Sequence, residues 1–531
     1  MAELASSNGP RPDGTGIMSL EAFAAATRRS WFGHWRVRWG SVHSSVLVAL
    51  STFLMAQVVL STVVVVVFGA IVASFDDMIL ADGYFTVASA FSSTGLVVTD
   101  FAQLSHASQT IVCCLMFLGS VPISSAVITG VKLWYARKRR SNYITIEDGD
   151  QTGGMPSNQL DGAVVRDLRN VIVLIVGASV SIVLCGGLIL GIWASLSESG
   201  RAILREETDK VSPFTFGFMH AVSAYCNAGF SILPNNASMV PFRMEPFPLL
   251  WLSILSMLGN TMFPVLLRAL VETFGMRRVL ASPRQYSLHL FDRSTTLSIF
   301  LINLIVTSLG VVWFYLSNQT APELANVSSG DVFMNALFNS AMTRTCGFNS
   351  VDIGQLPVSL LVVYMSMMFF SACPVWVSMA GLAAGEASEV RIQASASDAP
   401  DLEGKKPSVT SHFRRILEQH LILLLAALVL LCRFEQGPID SSSDPDFSFL
   451  ALSFELISAY ATAGLSIGYP NVTASFSARL SVPSKITVSA IMLMGRLRSL
   501  PATIFVSDVV VNPVRATQAD YDISLQETTT Q

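Results

Sequence analysis

Asn227-Ala228-Gly229-Phe230 closes a short apolar run, Phe214–Cys226, and the reading of the whole chain turns on it. Strings of the same make-up close three further runs. They are Ser93-Thr94-Gly95-Leu96 after Phe85–Ser93, Thr345-Cys346-Gly347-Phe348 after Val332–Thr343, and Thr462-Ala463-Gly464-Leu465 after Phe447–Ala461. Each has a small or polar residue, a small residue, glycine, then Phe or Leu. The glycines recur every 117 to 134 residues. The runs, about ten to fourteen residues long, are too short to cross a bilayer core that needs roughly 20 helical residues. A helix-start signal precedes or opens each run: Asp82, Ser212-Pro213, Asp331 and Asp444-Pro445.

Longer apolar stretches flank these runs, as expected of a chain that is 51% hydrophobic and 13% charged over 531 residues. Val46–Phe75, Thr110–Gly130, Val171–Leu196, Pro248–Leu267, Thr295–Tyr315 and Leu356–Gly385 are each long enough to span a membrane. Leu421–Cys432 is short, and Lys485–Asp508 carries Arg496 near its middle; with both included there are about eight spans. Basic clusters fall in alternate gaps: Arg28, Arg29, Arg36 and Arg38; Arg137–Arg140; Arg277, Arg278, Arg284 and Arg293; Lys405, Lys406, Arg414 and Arg415; and Arg515. The positive-inside bias then makes both termini cytoplasmic. Candidate glycosylation triplets start at Asn236, Asn318, Asn326 and Asn471, all on the predicted outer side. No cleavable leader is expected in the polar first forty residues. The seven cysteines lie in or beside apolar stretches without C-x-x-C spacing, which favours buried thiols over a metal or redox role.

The repeated order of span, short helix, glycine string and span predicts an all-α membrane protein. It has four tandem helix–pore loop–helix units, about eight transmembrane helices plus four pore helices, around one central pore. The pore units are 43–137, 165–275, 294–385 and 412–512. They are joined by cytoplasmic linkers 138–164, 276–293 and 386–411, with a cytoplasmic N-terminal segment 1–42 and tail 513–531. Ser141–Asp161 and Ala394–Ser411 read as flexible. Non-helical backbone survives at membrane depth only when enclosed by protein or lining a wet cavity, so the four strings should share one axis. Their carbonyls would replace the water of an alkali cation, glycine supplying the backbone angles, the following Phe or Leu anchoring each string in the wall, and the short helices aiming their negative ends at the ion.

At these residues the chain resembles the Trk/Ktr/HKT family of potassium and sodium transporters, over roughly 43–512. The matching stretches are Ser92–Asp100, Ser223–Phe230, Arg344–Ser350 and Ser458–Ser466. Leu258-Gly259-Asn260-Thr261-Met262-Phe263-Pro264 with Arg268 resembles the eukaryotic HKT-type branch, and Gly495-Arg496-Leu497-Arg498 resembles the family's arginine motif in the last helix. The resemblance implies that Gly95, Gly229, Gly347 and Gly464 are the selectivity-filter glycines through which potassium and sodium pass transiently. Glycine rather than serine at position 95 then implies potassium permeation, with sodium cotransport left open. It further implies a homodimer in the plasma membrane. A separate regulatory subunit is left open, and no cofactor, enzymatic activity or nucleic-acid partner is expected.

Arg496 has two readings: an electrostatic barrier below the filter, or an arginine snorkelling from a helix end. Arg344, Glu455 and Lys485 are expected to brace the filter through an ion pair or backbone hydrogen bonds. His220 reads as a satisfied packing histidine. Phe370-Ser371-Ala372-Cys373-Pro374 is either a gate or a plain proline kink. Three rivals remain: a sodium-selective uniporter of the same family, a rocking secondary transporter, and a multi-pass membrane enzyme. The chain lacks the inverted halves of the second and the catalytic motifs of the third.

Overall fold

The structure is a computed structural model that describes residues 44–147, 157–207, 211–317, 328–371, 409–440, 446–470 and 472–497. Two units are distinguished: Met1–Gln57, whose described part is the first turns of helix α1 (Ser44–Phe75), and Val58–Gln531, which holds every other described element. Apart from one bridge between Tyr469 and Val472, the regular elements among the described residues are helices.

The order foreseen from sequence recurs through the second unit. Helix α1 leads to α2 (Leu80–Ser92) and the first string, then to α3 (His106–Gly119) and α4 (Val121–Glu147). The second round runs through α5 (Ser157–Leu196), α6 (Glu198–Glu207), α7 (Pro213–Tyr225), α8 (Pro246–Gly259) and α9 (Phe263–Thr273). After α10 (Arg277–Ala281) and α11 (Pro283–Tyr286), the third has α12 (Arg293–Ser317), α13 (Ser329–Met342) and α14 (Val358–Ser371). The fourth has α15 (Val409–Phe434), α16 (Gln436–Asp440), α17 (Phe449–Ala461) and α18 (Val482–Leu497).

Within the described residues, Gln57–Phe75, Gly162–Leu196 and Arg293–Ser317 are each long and apolar enough to cross a membrane. Two stretches read as single spans, Thr110–Gly130 and Pro248–Leu267, are bent helix pairs: α3 with α4 at 58° and α8 with α9 at 77°. Proline explains both bends. Pro122 and Pro264 stand second in α4 and α9, where a missing N–H and a ring that clashes with the preceding turn prevent the earlier helix from running on. The expected spans 356–385 and 485–508 are described only as α14 and α18, so Ala372-Cys373-Pro374 lies outside the described residues.

The four short helices have 13 or 14 residues. Ser212 caps α7 as expected, accepting the Thr215 amide. The other start signals need correction. Ser328, not Asp331, caps α13, and Ser448 caps α17, while Asp444-Pro445 lies outside the described residues. Asp82 caps nothing; it sits in the first turn of α2 and takes Lys485 of α18 at 2.6 Å. A carboxylate at membrane depth is better satisfied by a cation than by one amide.

The short helices form the core. Phe85, Phe216, Phe338 and Phe454, one from each, are fully buried, while α12 turns Leu297, Leu301, Ile305 and Leu309 outward, as a lipid solvent demands. Of the stretch 141–161, which the sequence reads as flexible, residues 141–147 continue α4 and 157–161 open α5, and residues 148–156 lie outside the described residues. Helix-breaking Gly149, Gly153, Gly154 and Pro156 are confined to the gap between them.

The Asp82–Lys485 pair joins the first and last rounds of helices. Asp82→Asn and Lys485→Met should each lower the melting temperature of the detergent-solubilised protein, because each strands a largely buried charge worth about 3–5 kcal/mol. The double variant should melt above either single one; a strictly additive double-mutant cycle would show that the pair does not matter.

Candidate functional site

The glycine strings meet edge to edge. A Cβ built on Gly95 would lie 1.7 Å from the Ala228 carbonyl oxygen, and one on Gly229 would lie 2.5 Å from the Gly347 nitrogen. One on Gly347 would lie 2.8 Å from the Gly464 oxygen, and one on Gly464 would lie 1.9 Å from the Thr94 oxygen and 2.9 Å from the Gly95 Cα. The contacts run from the first string to the second, third and fourth, then back to the first. Gly95, Gly229, Gly347 and Gly464, with Thr94 and Ala228 between them, therefore form one closed cycle of backbone approaches. The following Leu96, Phe230, Phe348 and Leu465 are buried.

Three of the strings share a backbone. Ser93, Asn227 and Thr462 have φ of 55°, 61° and 54°, and Gly95, Gly229 and Gly464 follow at 97°, 77° and 79°. The Thr94, Ala228 and Ala463 amides bond to Ser89, Ser223 and Ser458 carbonyls five residues back, at 2.9, 2.9 and 3.0 Å. This is a Schellman turn, which satisfies carbonyls at the end of a helix. It holds non-glycine residues left-handed at a cost of about 1–2 kcal/mol each.

The third string departs from the equivalence that the sequence suggested. Gly347 is not among the glycines with positive φ, and the Cys346 amide bonds to Met342 in an ordinary helical step of 2.8 Å. Arg344 stands three residues before the glycine, where the other strings have Ser92, Cys226 and Ala461. Its Nη1 donates to the Asn303 side chain, to the Asn303 carbonyl at 2.9 Å and to Thr307 Oγ1 at 3.3 Å. A long side chain moored to α12 therefore anchors this string from behind.

The expected braces act through separate partners. Glu455 is buried, with Oε1 accepting the Ser477 amide at 2.9 Å and the Ser477 hydroxyl at 2.5 Å. Two residues earlier, Ser475 accepts the Val97 amide at its hydroxyl and donates its own amide to the Val97 carbonyl, both at 2.9 Å. The stretch Ser475–Ser477 thereby ties the first string to α17. Between the second and third strings, Ser256 donates to Thr345 Oγ1 at 2.5 Å and its carbonyl accepts Asn227 Nδ2 at 2.8 Å. His220 is satisfied, as read from sequence, with Nδ1 at 2.9 Å from the Phe216 carbonyl and Nε2 at 3.1 Å from Ser231 Oγ. It also stacks on Phe348.

Arg496 lies in the last described turn of α18 and bonds inward, to the Gly119 carbonyl and to Ser124 Oγ at 3.4 Å. The break between α3 and α4 exposes that carbonyl by denying it a helical donor. His289, in the loop 287–292 after α11, is also within the field of Arg496. Burial first, and that charge second, push its imidazole down to about 3, so it is neutral at physiological pH.

A second set of glycines makes close approaches that the sequence reading did not assign, although Gly259 and Gly495 stood in motifs quoted there. Gly119, Gly259 and Gly495 would put a Cβ 1.9, 1.8 and 2.2 Å from the carbonyl oxygens of Phe91, Tyr225 and Tyr460. Each of those carbonyls lies four residues before a filter-string glycine. The inner helices thus touch the short helices at matching points, with the bends at Ser120 and Asn260, and Arg496 itself, next along the chain. Spacing from the strings and the recurring Leu-Gly or Met-Gly pairs were the available signal. Asn236 is half-buried in a turn, while Asn318, Asn326, Asn471 and Arg498 lie outside the described residues.

A family model described as TrkH, cation transport protein, matches residues 151–512. The low-affinity potassium transport protein of Saccharomyces cerevisiae is 31% identical over 355 residues, covering 59% of this chain and 39% of its own length. Potassium transporter TRK1 of Candida albicans is 29% identical over 382 residues, covering 69% and 35%. Potassium transport protein 1 of Schizosaccharomyces pombe is 32% identical over 296 residues, covering 54% and 34%. The chain thus spans roughly a third to two-fifths of the length of these curated relatives. Among solved structures, the potassium transporter TrkH from Vibrio parahaemolyticus superposes with a TM-score of 0.51 at 16% identity, over 93% of this chain and 89% of that one. With an all-helical, multi-span membrane fold matching that structure and a family match over most of its length, the chain belongs to the TrkH cation transport protein family.

Proposed function

We propose that this chain is a potassium transporter, not an enzyme, and that potassium crosses through the ring made by Gly95, Gly229, Gly347 and Gly464. The observation that carries the reading is the unbroken cycle of backbone contacts among those glycines. A ring of carbonyl dipoles replaces the hydration shell of an alkali ion without fixed charge. Four short helices end at the ring and add the negative ends of their dipoles. The relatives described as potassium transporters support the choice of ion.

On this reading the pore units are 43–137, 165–275, 294–385 and 412–512, and both termini and the linkers between units are cytoplasmic. Arg496 is the barrier on the cytoplasmic side of the ring, held by Gly119 and Ser124; Arg344, Glu455 and Lys485 brace the strings. Asn236, Asn318, Asn326 and Asn471 are outer-side glycosylation acceptors. The protein works as a homodimer in the plasma membrane, with sodium as a second permeant ion. The HKT-like placement within the family rests on Leu258–Pro264 and Arg268.

Growth of potassium-uptake-deficient yeast in low potassium tests the function directly: rescue is expected, and sodium sensitivity without rescue would favour a sodium uniporter. Because a Cβ at position 95 meets the Ala228 oxygen at 1.7 Å on a backbone with φ of 97°, both Gly95→Ala and Gly95→Ser should displace the ring. Their potassium-to-sodium permeability ratio in voltage clamp should fall by about tenfold or more, equivalent to at least ~1.4 kcal/mol of lost discrimination; an unchanged ratio rejects the filter assignment. Arg496→Ala should raise cation flux or alter rectification, and wild-type currents from a correctly inserted variant would remove the barrier role.

A further inference from the structure

Two places beyond the filter glycines stand Val97, Ser231, Asn349 and Ser466. In the second and fourth strings this residue is a serine that serves its own stretch of chain: Ser231 Oγ accepts the Leu233 amide at 3.2 Å, and Ser466 Oγ accepts the Gly468 amide at 3.1 Å. A hydroxyl that takes the amide two residues on makes a local turn without help from elsewhere. Val97 has no hydroxyl, and the Asn349 side chain donates to the Val351 carbonyl at 2.9 Å. At these two positions the backbone groups are taken by a neighbouring stretch instead.

The Val97 amide donates to Ser475 Oγ and its carbonyl accepts the Ser475 amide, both at 2.9 Å. In the same manner the Asn349 amide donates to Ser238 Oγ and its carbonyl accepts the Met239 amide, both again at 2.9 Å. Ser475 follows the fourth string and Ser238 the second. The continuation of the fourth string thus clasps the first, and that of the second clasps the third. Because the glycine contacts run first, second, third, fourth and back, the two clasped strings stand opposite each other. A ring that is fourfold at its glycines is therefore twofold at the next step outward.

Each clasp is itself held. The two amides after Ser475 go to Ser466 Oγ at 2.8 Å and to Glu455 Oε1 at 2.9 Å, so three successive amides reach the first string, the fourth string and α17. Before Ser238, the Asn235 amide donates to Asp100 Oδ2 at 2.8 Å. Both serines are buried, so a lost hydroxyl leaves the amide it served without its acceptor.

We propose that Ser238 and Ser475 are paired positioning residues that clasp the third and first strings from opposite sides of the ring and thereby set its discrimination between potassium and sodium. They act through the backbone rather than on the ion. The inference rests on the potassium-pore reading above and deepens it: carbonyls discriminate between alkali ions by where they are held, and these hydroxyls hold the chain two residues from Gly95 and Gly347.

Voltage clamp of the full chain reads the permeability ratio, and surface labelling reads the amount of protein. Ser475→Ala and Ser238→Ala should each lower the potassium-to-sodium ratio by about threefold or more, the order expected for one buried hydrogen bond lost. Ser475→Thr keeps the hydroxyl on extended backbone, with φ of −62°, and should restore the ratio. At position 238, where φ is 50°, Ser238→Gly relieves the backbone without supplying a hydroxyl and should match Ser238→Ala. Ser253→Ala removes a buried hydroxyl bonded to the Leu249 carbonyl of its own helix and should leave the ratio unchanged. Cysteine, close in shape but a weak acceptor, replaces alanine at either position if that variant does not reach the surface. Hydrogen exchange on the purified proteins reads the clasps apart from transport: Ser475→Ala should speed exchange in the peptide carrying Val97, and Ser238→Ala in the peptide carrying Asn349, but not the reverse. Wild-type ratios in conducting variants, or unchanged exchange, would overturn the proposal. Absence of potassium current in the wild type would count against the pore reading, and exchange would still decide the clasps.

Discussion

Lipid offers no hydrogen bonds, so four lengths of non-helical backbone at membrane depth must be enclosed by one another and by helices. The rest of the architecture follows from this constraint. A single string would leave its amides stranded. Four of them, meeting glycine to carbonyl around Gly95, Gly229, Gly347 and Gly464, enclose a common axis and present their outer faces to buried Leu96, Phe230, Phe348 and Leu465. The helices outside the ring then have only to be apolar, and their exposed Leu, Ile and Val side chains show that they are.

The ring is fourfold in plan but not in detail. Three strings leave their helices through a Schellman turn, whereas the one after α13 leaves through a turn with no left-handed residue and is moored by Arg344 to α12. Behind the fourth, Glu455 is held by Ser477 rather than by a cation. A buried guanidinium and a buried carboxyl group, each held by neutral partners at one atom only, Arg344 Nη1 and Glu455 Oε1, therefore back neighbouring strings. Buried charges of this kind contribute little net stability but fix geometry, and the backing of the ring uses them at its least symmetric places.

Below the ring, close approach is the organising device. Gly119, Gly259 and Gly495 let the inner helices touch the ends of the short helices, and a helix break or Arg496 follows at once. The carbonyl freed by the break after Gly119 is the one that Arg496 takes. One local interruption thus both bends a helix pair and holds the Arg496 side chain, and the linker after α11 is docked on α4 and α9 close by.

The sequence by itself determined the class of fold, the four strings, the short helices and the burial of the residues after each glycine. Hydrophobic length and a repeated glycine are local properties, readable without knowing what packs on them. Both bends were also written locally, in Pro122 and Pro264, but an apolar run masks a break because lipid-facing composition is the same on either side of it. Caps were misplaced at Asp82 and Asp331 for a different reason: side chains choose partners across the fold, and Asp82 found Lys485, some 400 positions away in the chain. Only the tertiary structure decided that the strings close into a ring, that Gly347 departs from its counterparts, that Gly119, Gly259 and Gly495 are contact points, and that the linker bearing His289 is part of the core. Each of these depends on which backbone atom comes within a few ångströms of another, and spacing along one chain does not contain that distance.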